Sequence, residues 1–243
     1  MTILPLTLDA LSFQAGGKKL LSNLSHRFEA GPKTIILGPN GAGKSLLLRL
    51  CHGLLKPTSG TVSWHGSDAA RHQAMVFQRP VMLRRSALAN VEYALSLRGL
   101  DHHTRRARAE EVLHRTGLAH LAHAPARQMS FGEQQKLALA RAWALAPQVL
   151  FLDEPTASLD PSASHAIEEL IAAIHQGGTR IIMTTHDLAQ AHRLADEVLF
   201  IHRGELLECG DAKTFFKRPR SPLAQAFLEG QLLWWNDTST NET

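Results

Sequence analysis

The sequence predicts an α/β fold: a mostly parallel sheet covered by helices, an antiparallel β part at the N-terminus, and a helical subdomain. Three observations predict it. In the last third, strand-like and helix-like runs alternate, the order that builds a parallel sheet. The first third is rich in short apolar runs, punctuated by Gly16-Gly17, Gly31-Pro32 and Gly60. Between them, over about residues 79–145, the periodicity becomes helical.

Each element follows from its residues. Strands are expected over Leu6 to Phe13, Leu20 to Phe28, Thr34 to Leu37, Thr61 to Trp64 and Ala74 to Phe77. Helices follow over Ala87 to Arg98 and Thr104 to Arg115, ending near Gly99 and Gly117. A third runs from Phe131 to Leu145 and is stopped by Pro147. Val149 to Leu152 is a continuous apolar strand, the mark of a sheet covered on both faces. Asp160 and Pro161 then open a helix as N-cap and first helical residue, and Gly177-Gly178 closes it. Thr179 to Thr184 is a strand, Asp187 to Ala195 a helix, and Glu197 to His202 a strand that Arg203-Gly204 turns back. The expected organisation is one domain over residues 1–235, with a core over about 1–78 and 146–235. The tail, 236–243, is polar and expected to be flexible.

Composition narrows the function classes. The chain has 243 residues, 44% hydrophobic and 20% charged, which suits a soluble globular domain with a sizeable core. No apolar stretch approaches the roughly 20 residues that span a bilayer, so membrane association would go through a partner. Met1 to Phe13 lacks the basic start and apolar run of a secretion signal, and the expected location is cytoplasmic. Cys51 and Cys209 lie far apart, which argues against a disulfide framework or a cysteine metal site. The net charge is +4, but the basic residues are spread out; Arg84-Arg85, Arg105-Arg106-Arg108 and Lys217-Arg218-Pro219-Arg220 read as a solvated face, with contact to acidic headgroups or a partner as the alternative. None of the 14 histidines shows zinc-ligand spacing with a cysteine.

The chemistry begins at Gly38-Pro39-Asn40-Gly41-Ala42-Gly43-Lys44-Ser45, which fits the phosphate-binding loop G-x-x-x-x-G-K-[ST] between a strand and a helix. Its glycines let backbone N–H groups turn inward around phosphates. Lys44 reaches the β- and γ-phosphates, and the Ser45 hydroxyl ligates Mg²⁺. The helix that follows presents its positive end. A nucleoside triphosphate is the expected ligand, and a P-loop NTPase core the expected fold. Val149 to Glu154 is an apolar strand ending in two carboxylates: Asp153 can hold Mg²⁺, and Glu154 can take a proton from an attacking water. Ser130 with Glu133 fits a capping box, and a capped N-terminus beside Gly132 is also an anion site.

The order phosphate loop, Gln78, Ser130-Phe131-Gly132-Glu133, Asp153-Glu154, Ser158-Leu159-Asp160, His186 resembles the ATP-binding cassette ATPases from about Leu6 to Gly230. The resemblance implies further roles. Phe13 is similar to the aromatic that stacks on adenine. Gln78 is similar to the glutamine that touches Mg²⁺ and the attacking water. The Ser130 segment is similar to the signature that contacts the γ-phosphate held by the opposite subunit. Ser158 to Asp160 is similar to the loop crossing that interface, and His186 to the histidine that contacts the γ-phosphate. Three residues depart from the family pattern: Phe131 replaces a glycine, Glu133 replaces a glutamine, and Leu46 replaces a threonine whose hydroxyl reaches the α-phosphate. ATPase activity is expected to survive all three.

The implied mechanism needs two copies, each laying its Ser130 segment over the other's Lys44 with ATP between them. Hydrolysis with Glu154 as base removes the γ-phosphate that holds the sandwich closed. The implied partners are a second copy, separate transmembrane permease subunits docking near Gln78, and a solute-binding protein, with no direct contact to nucleic acid. The resemblance points to importers, closest in style to those serving oxyanions such as tungstate, molybdate or phosphate. The competing expectation is a soluble cassette ATPase acting on nucleic acid or ribosomes. The guanine-reading [NT]KxD motif of a GTPase is missing.

Overall fold

The computed structural model describes residues 2–231. Trp235 and the expected tail over 236–243 lie outside the described residues. Two sheets organise the rest. A three-stranded antiparallel sheet has the order β2-β1-β4, with β1 Leu6–Ala15, β2 Lys18–Phe28 and β4 Ser59–Trp64. A six-stranded sheet has the order β5-β6-β7-β3-β8-β9 and is parallel except at β9. Its strands are β3 Thr34–Leu37, β5 Gln73–Val76, β6 Val149–Asp153, β7 Arg180–Thr184, β8 Glu197–His202 and β9 Glu205–Asp211.

The continuous apolar strands are explained by what covers them. Along β3, β6, β7 and β8, alternate side chains enter two different cores. Ile35, Leu37, Leu150, Leu152, Ile181, Met183, Val198 and Phe200 face a core shared with the helices. Ile36, Val149, Phe151, Ile182, Leu199 and Ile201 face a core shared with the antiparallel sheet and α1 (Lys44–His52). A single polar substitution on these strands would therefore be buried on whichever face it fell.

The middle of the chain supplies α2 (Ala87–Ser96), α3 (His102–Arg115) and α4 (Phe131–Ala144), which pack on one another. α3 begins two residues before the expected Thr104. The cause is Asp101, which accepts from the Thr104 amide at 3.0 Å and acts as N-cap. β5 ends at Val76, one residue earlier than expected, and Phe77 beyond it is 39% exposed. α5 (Pro161–Gln176) and α6 (Leu188–Leu194) open on Asp160 and Asp187, each accepting an amide hydrogen bond in the first turn. Arg203 and Gly204 have φ of 49° and 79°, the backbone of a two-residue hairpin turn, so β9 returns antiparallel to β8. β9, α7 (Ala212–Lys217) and α8 (Pro222–Leu228) complete the described chain.

Candidate functional site

β3, β6 and β7 are parallel neighbours, so their carboxyl ends lie together, where open α/β sheets bind ligands. The phosphate loop leaves β3. Asp153 and Glu154 leave β6, and Thr184 to His186 leave β7. They enclose a cleft of about 580 Å³ lined by Asn40, Gly41, Ala42, Gly43, Lys44, Ser45 and Leu46, and closed by Gln78, Glu154 and His186. Two residues that sequence reasoning missed, Leu20 and Arg49, complete its wall. Leu20 had read only as part of an apolar strand, yet it is 41% exposed at the cleft.

The loop closes on itself. Lys44 is 5% exposed, and its Nζ donates to the carbonyls of Gly38 at 2.8 Å and Pro39 at 3.0 Å. Burial holds its ammonium below the ordinary lysine range, while Glu154 and Asp153 pull it back up. An anion entering the cleft would stabilise the same charge. Gly38 has φ of 149°, and a Cβ there would lie 2.0 Å from the Ile201 carbonyl oxygen, so only glycine fits between β3 and β8. Gly43, with φ of 102°, is the N-cap of α1.

The two carboxylates have separate settings. Asp153 is 3% exposed and accepts from Ser45 Oγ at 2.6 Å and Thr184 Oγ1 at 2.9 Å. Glu154 faces the cleft. Its Oε2 accepts from Gln78 Nε2 at 3.3 Å and lies 3.0 Å from His186 Nδ1. Its φ is 44°, an uncommon conformation for a non-glycine residue. Thr184 holds it there: the Glu154 amide donates to the Thr184 carbonyl at 3.2 Å and to its Oγ1 at 3.1 Å. Thr184 thus bonds the Asp153 carboxylate and the Glu154 backbone. The only sequence signal for it was a threonine at the end of a buried strand.

The donor set suits a hard cation: a hydroxyl and a carboxylate already 2.6 Å apart, with the Gln78 amide across the cleft. No group of three or more His, Cys, Asp and Glu side chains among the described residues forms a cage of its own. A cation would therefore need further oxygens from a phosphate or water.

The remaining predicted residues lie elsewhere. Phe13 is half-buried against the core beneath the antiparallel sheet and does not line the cleft. Ser130 caps α4, and its amide and hydroxyl both donate to Glu133 Oε2 at 2.8 Å while Glu133 N donates to Ser130 Oγ at 3.3 Å. The Ser130 hydrogen bonds hold the Glu133 carboxyl below its usual range. A Cβ on Gly132 would lie 3.5 Å from Ala163 and 3.7 Å from Leu159, so this segment backs onto the loop that ends in Asp160. Phe131 is 37% exposed at the start of α4. Within one chain these residues are not brought to the phosphate loop.

A family model described as ABC transporter matches residues 21–157. The chain belongs to the ABC transporter family. Among curated relatives it is 39% identical to the tungstate uptake system ATP-binding protein TupC of Peptoclostridium acidaminophilum, over 87% of this chain and 99% of that protein. It is 35% identical to phosphate import ATP-binding protein PstB 1 of Vibrio cholerae, over 93% of this chain and 90% of that one. The solved structure of cbiO1 from Clostridium perfringens, part of the ABC transporter complex cbiONQ, superposes with a TM-score of 0.79 at 30% identity, covering 88% of this chain and 90% of that one. As an ATP-binding subunit of an ABC transporter, the chain is an ATPase. No helix among the described residues is long and apolar enough to cross a membrane.

Two other cavities stand apart from this cleft. A groove of about 530 Å³ runs between β5, α2 and α4 and is lined by Met75, Phe77, Val81, Tyr93, Leu97 and Leu145 among others. Val81 and Leu97 are 74% and 71% exposed. A roomier hollow of about 740 Å³ lies between α3, the end of α4 and Gly177-Gly178. Its Arg115 stacks on Trp143 at 3.9 Å and pairs with Glu111 at 3.6 Å, so that charge is already met.

Proposed function

We propose that this chain hydrolyses ATP to energise the import of an oxyanion, of which tungstate, molybdate and phosphate are the candidates, through separate membrane subunits. The observation that carries the reading is the convergence of Lys44, Ser45, Gln78, Asp153, Glu154 and His186 at one cleft. The tungstate and phosphate importers among the relatives support the solute class. The core over about 1–78 and 146–235 holds the cleft, and the helical subdomain over about 79–145 carries the partner surfaces.

Lys44 and the amides of residues 40–45 bind the triphosphate. Ser45 and Asp153, with Gln78, would hold Mg²⁺, which would neutralise charge on the phosphate oxygens when bound. Glu154 accepts the proton of the attacking water, and Gln78 and His186 keep its carboxylate aimed into the cleft. Phe13 lies outside the cleft that grips the phosphates and meets the adenine where the nucleotide extends beyond it. Ser130, Gly132 and Glu133 of a second copy complete the site over the γ-phosphate, with Asp160 at the shared interface. The Ser130 donors now held by Glu133 are the ones this closure redirects. Membrane subunits seat in the groove between β5, α2 and α4, whose exposed Val81, Leu97, Tyr93 and Phe77 exceed what a free surface needs. A separate solute-binding protein delivers the anion outside, which places this chain at the inner face of the membrane.

The test is Glu154→Gln in the purified chain, followed by uptake in vesicles holding the complete transporter. The variant should bind ATP with unchanged affinity, lose at least about 100-fold in hydrolysis and dimerise with ATP. Wild-type vesicles should accumulate tungstate, molybdate or phosphate with ATP inside, and variant vesicles none. Parent-like hydrolysis by the variant would remove Glu154 as base. Uptake of none of the three anions would remove the solute class.

A further inference from the structure

Beside the apolar groove lies a smaller pocket of about 330 Å³, lined by Asp68, Arg71, His72, Leu95, Arg98, Leu100, Arg108 and residues 144–146. The two are continuous. Leu145 lines both, and Ala70 and Leu97 in the groove adjoin Arg71 and Arg98 in the pocket. Three elements deliver its arginines: the turn before β5, the end of α2 and the middle of α3.

The charges there are unequal. Asp68 pairs only with Arg71, at 3.4 Å, and both are well exposed. Neither Arg98 nor Arg108 has a carboxylate within ion-pair distance among the described residues. Burial and the nearby Arg71 push Arg98 below its ordinary value, and Asp68 only partly offsets them. The end of α4 also borders the pocket, and a helix C-terminus attracts guanidinium groups but carries no full charge. Two half-buried arginines are thus left to be paired by a group from outside.

We infer that this pocket receives a carboxylate side chain from the same membrane-subunit segment that fills the apolar groove. The occupant is an amphipathic segment with an apolar face and an Asp or Glu at one end. The inference rests on the proposed reading that the groove is the membrane-subunit dock. Leu95 and Leu100 in the wall suit the methylene stem of an acidic side chain, and paired guanidinium groups suit its carboxylate. A phospholipid surface would instead ask for basic groups projecting from one flat rim. Here two of the three arginines are recessed. Such a charged contact at the end of an apolar groove fixes the direction of the inserted segment and rejects segments lacking the acid.

The test places an amine in the pocket. Arg98→Lys and Arg108→Lys, each made in the full transporter in native membranes, are treated with a zero-length carbodiimide, which joins an amine to a touching carboxylate as an amide with loss of water. The expected product links position 98 or 108 to an Asp or Glu of an integral membrane subunit. A double variant, Arg98→Gln with Arg108→Gln, should come off membranes about tenfold more readily as salt is raised. Its basal ATPase activity should be unchanged, because the pocket shares no lining residue with the ATP cleft. If the chain stays on membranes but links only to its own Asp68 or to nothing, the acidic contact is wrong and the groove reading stands. If wild-type chain is not retained by membranes holding the other subunits, the groove reading falls, and the inference with it. If no link forms, and the double variant loses binding to phosphatidylglycerol vesicles that wild-type chain shows, the pocket serves lipid headgroups and the inference is overturned.

Discussion

Replacing Thr184 with valine isolates the hydroxyl that joins the Asp153 carboxylate to the Glu154 backbone. Valine keeps the shape of a residue that is 0% exposed and removes only the hydroxyl. Two interactions go: donation to Asp153 Oδ1 at 2.9 Å and acceptance from Glu154 N at 3.1 Å. The first is a buried hydrogen bond to a carboxylate, worth about 1.5–3 kcal/mol. The second costs less, because Glu154 N keeps the Thr184 carbonyl at 3.2 Å. The sum is about 2–3 kcal/mol, which for a chain of this size lowers Tm by about 4–12 °C. Glu154 also loses a restraint on its φ of 44°, so hydrolysis should fall about tenfold or more while ATP binding holds. Thermal unfolding followed by circular dichroism, with steady-state phosphate release, measures both. Thr184→Ser is the control. It keeps both hydrogen bonds and loses one buried methyl, so it should cost about 1 kcal/mol and leave hydrolysis near that of the parent. A valine variant within about 1 °C and about twofold of the parent would refute the role given to Thr184.

Three further outcomes are expected. Gly38→Ala puts a methyl 2.0 Å from the Ile201 carbonyl, so the loop must shift; ATP affinity measured by calorimetry should fall by about 100-fold or more. The half-buried His26 and His52 are both held below the ordinary 6.5, largely by desolvation. The unfolded chain therefore binds more protons, and their contribution to stability, complete above about pH 6.5, is lost as pH falls from there through the lower folded values. Tm should drop between pH 7.5 and 5.5, and His26→Gln with His52→Gln should flatten that slope; an unchanged slope would remove both residues as its cause. Phe131→Gly should leave Tm within about 3 °C, since the ring is 37% exposed, yet change ATP-driven dimerisation measured by light scattering. A variant that dimerises like the parent would place Phe131 outside the interface.

Much of the fold was legible because its signals are local. The phosphate loop, the caps Asp160 and Asp187, Gly177-Gly178 and the apolar strands all announce themselves within a few residues. Where the reading slipped, the deciding interaction was also short-ranged but easy to overlook. Asp101 capping Thr104 set the start of α3, and β5 stopped one residue before Phe77. The helices after β9 were not read at all, because α7 and α8 are short: α7 runs Ala212–Lys217 and α8 Pro222–Leu228.

The site divides in the same way. Sequence alone determined that a strand and a helix flank a glycine-rich loop ending in Lys44-Ser45, and led to the expectation of a triphosphate there, because that pattern lies within eight contiguous residues. It also ordered Gln78, Asp153, Glu154 and His186 along the chain. Only the tertiary structure decided that Thr184 clasps the Asp153 carboxylate and the Glu154 amide, since that depends on the register of β7 against β6, in which Asp153 faces Thr184. It alone brought Leu20 to the cleft, and it joined an apolar groove to Arg98 and Arg108, which lie on separate elements. Long-range pairing leaves no trace in local spacing: a threonine at a strand end looks the same whether it bonds a carboxylate on the neighbouring strand or only fills a core.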